Sequence, residues 1–286
     1  MRFFESEIPV LRPEQARFHV VPVPYEKTVS YGHGTALGPG AIIASSSQLE
    51  RFDGLSDPGA EGIYTWPAID CSGKPEKVID DIAACVTKIL KLGKMPVVLG
   101  GEHTVTWGVI KGYLDAGVKD FGVAQIDAHA DLRDAYEGDK YSHASVMRRV
   151  VEAGVPLIQL GNRAYCEEEK EARKKHGVLA FDALKLVPKN KASIKVPAKF
   201  PKKVFFTVDV DGIDPSVLPA TGTPVPGGLT WYQTLGLFES VAKQRKIIGF
   251  DVMEFAPIKD FHAYDFAAAV LTYKLMGIIQ RTTGTK

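Results

Sequence analysis

Short apolar runs alternate with stretches of helical period from one end of the chain to the other. Phe18–Val23 reads as a first strand, closed by Pro22 and Pro24, and further strands are predicted at Pro96–Leu99, Phe121–Asp127, Leu157–Leu160, Val204–Val210 and Ile247–Val252. Between and around them the spacing predicts helices over Gly38–Glu50, Lys77–Leu92, Thr104–Ala116, Ser142–Ala153, Glu167–Lys175, Thr230–Gln244 and Tyr264–Arg281. The clearest is Lys77–Leu92, where Val78, Ile82, Val86, Ile89 and Leu90 share one face and Gly93 suits the end. Such β-α alternation, with few hairpin signals, predicts an α/β protein with a mostly parallel sheet covered by helices on both faces. Leu186–Pro201, rich in Lys and Pro, reads as an exposed excursion before a buried strand. No linker or repeat divides the chain, so residues 1–286 are expected to form a single domain.

Composition narrows the function classes. With 35 Lys and Arg against 34 Asp and Glu, the net charge of +1 supplies no basic field for nucleic acid and no polybasic patch for a membrane surface. No uncharged apolar run is long enough to span a bilayer, and Met1–Leu11 lacks the apolar core of a secretory signal. The expected location is the cytoplasm. Cys71, Cys85 and Cys166 have no metal-site or disulfide spacing, and Cys85 reads as a small buried hydrophobe in its helix.

Three places concentrate metal-ligand chemistry, each where a strand gives way to a loop: Gly100-Gly101-Glu102-His103, Asp127-Ala128-His129-Ala130-Asp131, and Asp209-Val210-Asp211. Ligands of open α/β sheets bind at that carboxyl edge. Residues two apart in extended chain point to one side, so Asp127, His129 and Asp131 are expected to converge, as are Asp209 and Asp211. Four carboxylates brought together repel unless cations neutralise them, and two divalent ions balance them. Oxygen and nitrogen donors without thiolate favour a hard-to-borderline ion such as Mn²⁺, though Zn, Co or Ni fits the same donors. Elsewhere the ordinary reading is the better one. Asp53, Asp57 and Asp70 suit turns, and His19 and His262 suit satisfied core or surface positions.

These blocks resemble the arginase/agmatinase (ureohydrolase) family. The match continues through Gly212-Ile213-Asp214-Pro215, Pro219, Gly222-Thr223-Pro224 and Gly227-Gly228, and closes with Asp251-Val252-Met253-Glu254. The stretch Tyr31–Ala41 looks familial too, so the resemblance covers nearly the whole chain. It implies a three-layer α/β/α fold around an eight-stranded, mostly parallel sheet, a binuclear Mn²⁺ centre, and a homotrimer or homohexamer. Carried over residue by residue, His103, Asp127, Asp131 and Asp209 would hold one ion, and Asp127, His129, Asp209 and Asp211 the other, with Asp127 and Asp209 bridging. Asp131 would also relay a proton, Glu254 would grip the guanidinium, and His143 would shuttle protons at the mouth. The rival reading of His143 is an unreactive residue at a helix start. Glu102 stands where many relatives have Asp, and Asp214 reads as a structural member of its turn.

The resemblance implies hydrolysis of a small cationic guanidino compound. Leu132–Lys140 resembles bacterial agmatinases and lacks the Asn- and Thr/Ser-rich pattern by which arginases hold an α-carboxylate. Gly161-Asn162-Arg163 with Glu167, Glu168 and Glu169 looks agmatinase-like as well. Asp134, Glu137 and Asp139 would add negative charge near the mouth, partly cancelled by Arg133 and Lys140. The expectation is therefore agmatine plus water giving putrescine and urea. N1-aminopropylagmatine, guanidinobutyrate, guanidine and arginine are the alternatives. A zinc deacetylase of related fold would need one metal and fewer carboxylates, and a non-catalytic binding module would have lost a ligand.

Overall fold

The computed structural model describes residues 1–283. Eight strands form one sheet: β1 (Phe18–Val23), β2 (Ile63–Thr65), β3 (Met95–Gly100), β4 (Phe121–Ile126), β5 (Leu157–Leu160), β6 (Leu179–Phe181), β7 (Lys203–Asp209) and β8 (Lys246–Met253). Their order is β2-β1-β3-β8-β7-β4-β5-β6, and every pairing is parallel. Parallel strands covered on both faces read as continuous apolar runs. β1, β3 and β4 accordingly bury every residue.

The helices are α1 (Gly38–Ser46), α2 (Pro75–Lys91), α3 (Val105–Asp115), α4 (Val146–Glu152), α5 (Glu167–His176), α6 (Ala183–Leu186), α7 (Trp231–Gln244) and α8 (Ala263–Thr283). Strand alternation divides the interior into two cores. On one face Val20, Ala124 and Phe206 pack with Ile42 of α1, Leu237 of α7 and Leu271 of α8. On the other Val21, Val98 and Phe205 pack with Val78 and Ile82 of α2, Val109 of α3 and Val150 of α4. α7 starts where its sequence says it should. The Thr230 hydroxyl accepts from the Gln233 N–H while the Gln233 side chain accepts from the Thr230 N–H.

The structure departs from the sequence reading in four places. β2 and β6 were not anticipated, being three-residue edge strands that are only partly buried. α1 stops at Ser46, whose hydroxyl donates back to Ile43 O and accepts the Phe4 N–H. Ser142–Ala153 is split into a 3-10 turn at His143–Ser145, capped by the Ser142 side chain, and then α4. The Leu186–Pro201 excursion is not merely exposed, since Leu186, Ile194, Val196 and Phe200 are buried in the core. All three cysteines are free. No helix among the described residues is long and apolar enough to cross a membrane.

Phe206 is fully buried and its ring lies 4.5 Å from that of Phe238. Phe206→Ala removes both the burial and the ring pair and is expected to cost about 3–5 kcal/mol, read as a lowered urea midpoint at unchanged slope. A loss below about 1 kcal/mol would mean that the site can collapse around the smaller side chain.

Candidate metal centre and substrate cleft

The four central neighbours, β3, β8, β7 and β4, all run the same way and end on one edge of the sheet. His103 follows β3, Glu254 follows β8, Asp209 and Asp211 end and follow β7, and Asp127, His129 and Asp131 follow β4. The chain reaches β4 before β7 and β8 fill the gap beside β3, so these side chains meet across a crevice that only the finished sheet creates. Close approach of backbone is required there. A Cβ at Gly101 would lie 1.9 Å from the Tyr25 carbonyl oxygen, and one at Gly212 would lie 2.7 Å from the Asp127 nitrogen.

Alternation along an extended strand does not produce the convergence. β4 stops at Ile126, and Asp131 adopts a left-handed backbone (φ 53°) that swings its carboxylate back to His103. Asp211 lies in a 3-10 turn after β7 instead of two places along the strand. Glu254 is left-handed as well (φ 62°). Non-glycine residues in that conformation are strained, and such strain gathers at functional sites.

Two groups of donors result: His103 with Asp127 and Asp209, and Asp127 with His129 and Asp211. His103 Nδ1 lies 3.1 Å from Asp127 Oδ2, 2.9 Å from Asp131 Oδ2 and 3.3 Å from Asp209 Oδ2. Yet none of these contacts has hydrogen-bond geometry, and the nitrogen is a buried polar atom without a hydrogen-bond partner. A lone pair surrounded by three carboxylates in a fully buried place fits a cation between them. His129 Nδ1 lies 2.9 Å from Asp211 Oδ2 and 3.7 Å from Asp127 Oδ1. Asp127 thus presents one oxygen to each histidine. Asp209 turns Oδ2 to His103, while its Oδ1 accepts the Asp211 N–H at 2.9 Å.

The electrostatics fit the same reading. Burial pushes Asp127 up to about 8, with repulsion from Asp131 and Asp211 adding to it. Burial, then Asp211 and Asp127, raise Asp209 well above the ordinary carboxylate range. Burial alone would lower His129, but the charge of Asp211 outweighs it and lifts it to about 10. Asp211 goes the other way: burial would raise it, and its pairing with His129 pulls it below the ordinary range. Burial also opposes charge on His103, but its surrounding carboxylates hold it well above its usual value.

Beneath the ligands lies a polar row that the sequence reading missed. Gln159, Gln125, Thr207 and Asp251 are register partners across β5, β4, β7 and β8, all fully buried. Gln125 Nε2 donates to Asp127 Oδ2 at 2.6 Å. Gln159 donates to Gln125 Oε1 at 2.7 Å and accepts from Arg173 of α5 at 2.7 Å. Thr207 Oγ1 lies 2.9 Å from His103 Nε2, and Thr106 of α3 donates to Asp251 at 2.8 Å. Burial raises Asp251 to about 6. The available signal was a single polar residue inside each of four otherwise apolar strands.

A cleft of about 350 Å³ opens over the ligands. His129, Asp131, Asp209, Asp211, His143 and Glu254 line it, with Tyr31, Tyr136, Tyr165, Arg133 and Glu169 on its walls. His103 and Asp127 lie in the floor, 1% and 0% exposed. Glu254 accepts the His103 N–H at 2.6 Å, and burial, then the nearby Glu102, raises it well above the usual range. Of Asp134, Glu137 and Asp139, the residues expected to make the mouth negative, none lines the cleft. Asp134 pairs with Arg149 at 3.3 Å and Arg148 at 3.7 Å instead of facing the cleft. Asp53, Asp57 and Asp70 each accept local backbone N–H bonds in turns. His19 is satisfied by Pro13 O and the Trp66 indole. Asp214 accepts from the backbone at Ser216, Gly227 and Gly228, which fixes its turn.

The family model described as Arginase family matches residues 16–277. The chain belongs to the arginase family. It is 38% identical to the N(1)-aminopropylagmatine ureohydrolase of Synechocystis sp., covering 96% of this chain and 93% of that one. The enzyme of the same name from Thermus thermophilus is 35% identical, covering 96% and 94%. Among solved structures, the agmatine ureohydrolase of Thermoplasma volcanium superposes with a TM-score of 0.88 at 30% identity, covering 99% of this chain and 96% of that one. For this arginase-family chain the strand-end cluster of histidines and aspartates therefore sits in the fold that such enzymes share.

Two outcomes are expected of the metal-free protein. Asp127 (about 8) and His129 (about 10) hold protons near neutrality, and a bound cation must displace them. Metal affinity should therefore rise from about pH 6 to about pH 8 with proton release, measurable by calorimetry in two buffers of different ionisation enthalpy. An affinity independent of pH would contradict the donor assignment. Gln125→Leu should weaken metal binding by about 10–100-fold while the far-ultraviolet circular dichroism is unchanged, because it frees Asp127 Oδ2 from its orienting donor.

Proposed function

We propose that this protein hydrolyses the guanidino group of a linear, cationic guanidino amine, releasing urea and a polyamine, with two Mn²⁺ as its natural ions. The observation that carries the reading is Asp127, whose two oxygens face two different histidines inside one acidic, buried crevice. His103, Asp127, Asp131 and Asp209 would hold one ion, and Asp127, His129, Asp209 and Asp211 the other. When bound, such ions supply Lewis acidity and lower the pKa of water from about 15.7 toward 7.

The chain's own groups do the rest. A guanidinium, with a pKa of about 12.5 or more, is a resonance-stabilised cation that water attacks poorly unless it is held and oriented. Glu254, at the cleft wall beside His103, suits a pair of N–H···O bonds that fix the plane of that cation. Burial keeps Glu254 easily protonated when alone, and a cation beside it favours the charged form. Water adds to the guanidino carbon, the bond to the chain nitrogen breaks, and the amine leaves with a proton. Asp131, which lines the cleft, would take the proton that the attacking water gives up and hand it to the departing amine. His143, also in the wall, suits exchange of protons with solvent.

Two substrates fit. Agmatine follows from the Leu132–Lys140 pattern. N1-aminopropylagmatine is favoured by the names of the relatives at 38% and 35% identity. It is favoured also by three tyrosines, Tyr31, Tyr136 and Tyr165, around the cleft, which suit methylene chains and a second ammonium. The whole chain would act as one domain, in the cytoplasm, assembled as a trimer or hexamer as the family resemblance implies.

Urea release from Mn²⁺-loaded protein is the test, with agmatine, N1-aminopropylagmatine, arginine, guanidinobutyrate and guanidine, and a chelated control. The expected result is metal-dependent urea from N1-aminopropylagmatine and agmatine, the former at the higher kcat/KM, and little from arginine. Arginine as the best substrate would overturn the specificity reading, and no urea from any would overturn the activity. Asp127→Ala should abolish turnover and bind fewer ions. Glu254→Gln should raise KM for the guanidino substrate with metal content unchanged, and loss of metal there would mean that Glu254 is misassigned.

A further inference from the structure

Glu102 is fully buried one residue before His103, yet its side chain points away from the metal ligands. Its Oε2 accepts the backbone N–H of Lys27 at 2.6 Å and of Thr28 at 2.7 Å. Its Oε1 accepts the Thr28 hydroxyl at 2.6 Å. The Thr104 hydroxyl lies 2.9 Å from both Glu102 Oε1 and Tyr141 O, which ties the carboxylate to the turn carrying His143. A carboxylate gripped by so many donors is an acceptor, so the single Thr28 hydroxyl proton is committed to it.

The Thr28 oxygen is then left to accept. It lies 3.0 Å from the His143 backbone nitrogen, which donates to it, and 3.2 Å from His143 Nδ1. Because Thr28 has no proton left to give, Nδ1 must be the donor. The Ser142 hydroxyl is farther from the same nitrogen, at 3.4 Å. The tautomer of His143 is thereby fixed: Nδ1 carries the proton and Nε2 is the basic nitrogen of the neutral ring. Tyr136 meets the ring edge-on at 5.7 Å and confines it from another side.

We propose that Thr28 and Glu102 are positioning residues for His143, with the carboxylate setting the hydroxyl as an acceptor and the hydroxyl setting the imidazole for proton exchange through Nε2. The loop after β1, carrying Thr28, would then take part in turnover without touching the substrate's reacting atoms through that side chain. The Glu102 carboxylate reaches two consecutive backbone N–H groups and a hydroxyl at once. The inference rests on the reading of His143 as a proton carrier.

Thr28→Val keeps the shape and removes the hydroxyl. With Mn²⁺-loaded protein and N1-aminopropylagmatine, kcat is expected to fall about tenfold or more while KM and bound metal stay the same. Thr28→Ser should restore most of the loss, and Thr28→Val should have little further effect in a His143→Asn background. If Thr28→Val turns over like wild type, or slows the His143→Asn protein as much as it slows wild type, the positioning role is wrong while the proton-carrier reading stands. If His143→Asn alone is as fast as wild type, or wild type releases no urea, the underlying reading is wrong and the inference goes with it. Thr28→Ala serves the same cycle if the valine variant does not fold.

Discussion

Four aspartates at the ends of neighbouring strands, each at most 5% exposed, are the constraint around which the molecule is arranged. Unpaired, they repel across a low-dielectric crevice, and the rise of Asp127 and Asp209 expresses that repulsion together with their burial. Two imidazoles cannot balance four negative charges even when both are protonated. Such a cluster persists in a fold only if the frame is stable for other reasons and a cation completes the site. The two large apolar cores on either face of the sheet provide the frame. The aspartates stand at the carboxyl edge of the sheet, where β4 and β7 give way to loops.

Between core and crevice lies the row of Gln159, Gln125, Thr207 and Asp251. Its members sit in strand interiors, where apolar residues would pack better, and each one spends its hydrogen bonds on another polar group or on a ligand. Gln125 holds Asp127, while Thr207 meets Nε2 of His103 and leaves Nδ1 for the carboxylate cage. The row continues through Arg173 to Asp182, at 3.0 Å, so the orientation of a buried ligand is anchored to a helix on the outer layer. Buried polar contacts of this kind fix geometry more than they add stability.

Much of this was legible from the residues, and the parts that were not have physical reasons. Six strands announce themselves because a strand buried on both faces is an unbroken apolar run. β2 and β6 are short, half-exposed edges and leave no such run. The ligand clusters were visible because acidic residues and histidines crowd each strand end, but the mechanism of convergence was not. Alternation was the natural expectation, whereas Asp131 arrives through a left-handed residue and Asp211 through a 3-10 turn. Backbone conformations of that kind are imposed by tertiary contacts, such as the Asp131 carboxylate at His103, and single residues do not encode them. The polar row was hidden for the opposite reason: one Gln, Thr or Asp in a strand means nothing until four such residues are placed side by side by the register.

The division between floor and wall explains how one scaffold serves several guanidino substrates. The floor is set by strand ends, glycine contacts and the polar row, so moving any ligand disturbs several others. The wall comes from loops: the segment after β1 with Tyr31, the segment after β4 with Arg133 and Tyr136, and the entry to α5 with Tyr165 and Glu169. These contacts can change with little effect on the floor, which is why reaction type is read from the ligands and substrate choice from the loops. The loop after β1 is the exception. Through Thr28 it reaches both the buried Glu102 beside His103 and the ring of His143, and so it joins the wall to the floor. On the proposed role of His143, a substitution that reshapes this loop for a longer amine would act on turnover as well as on binding.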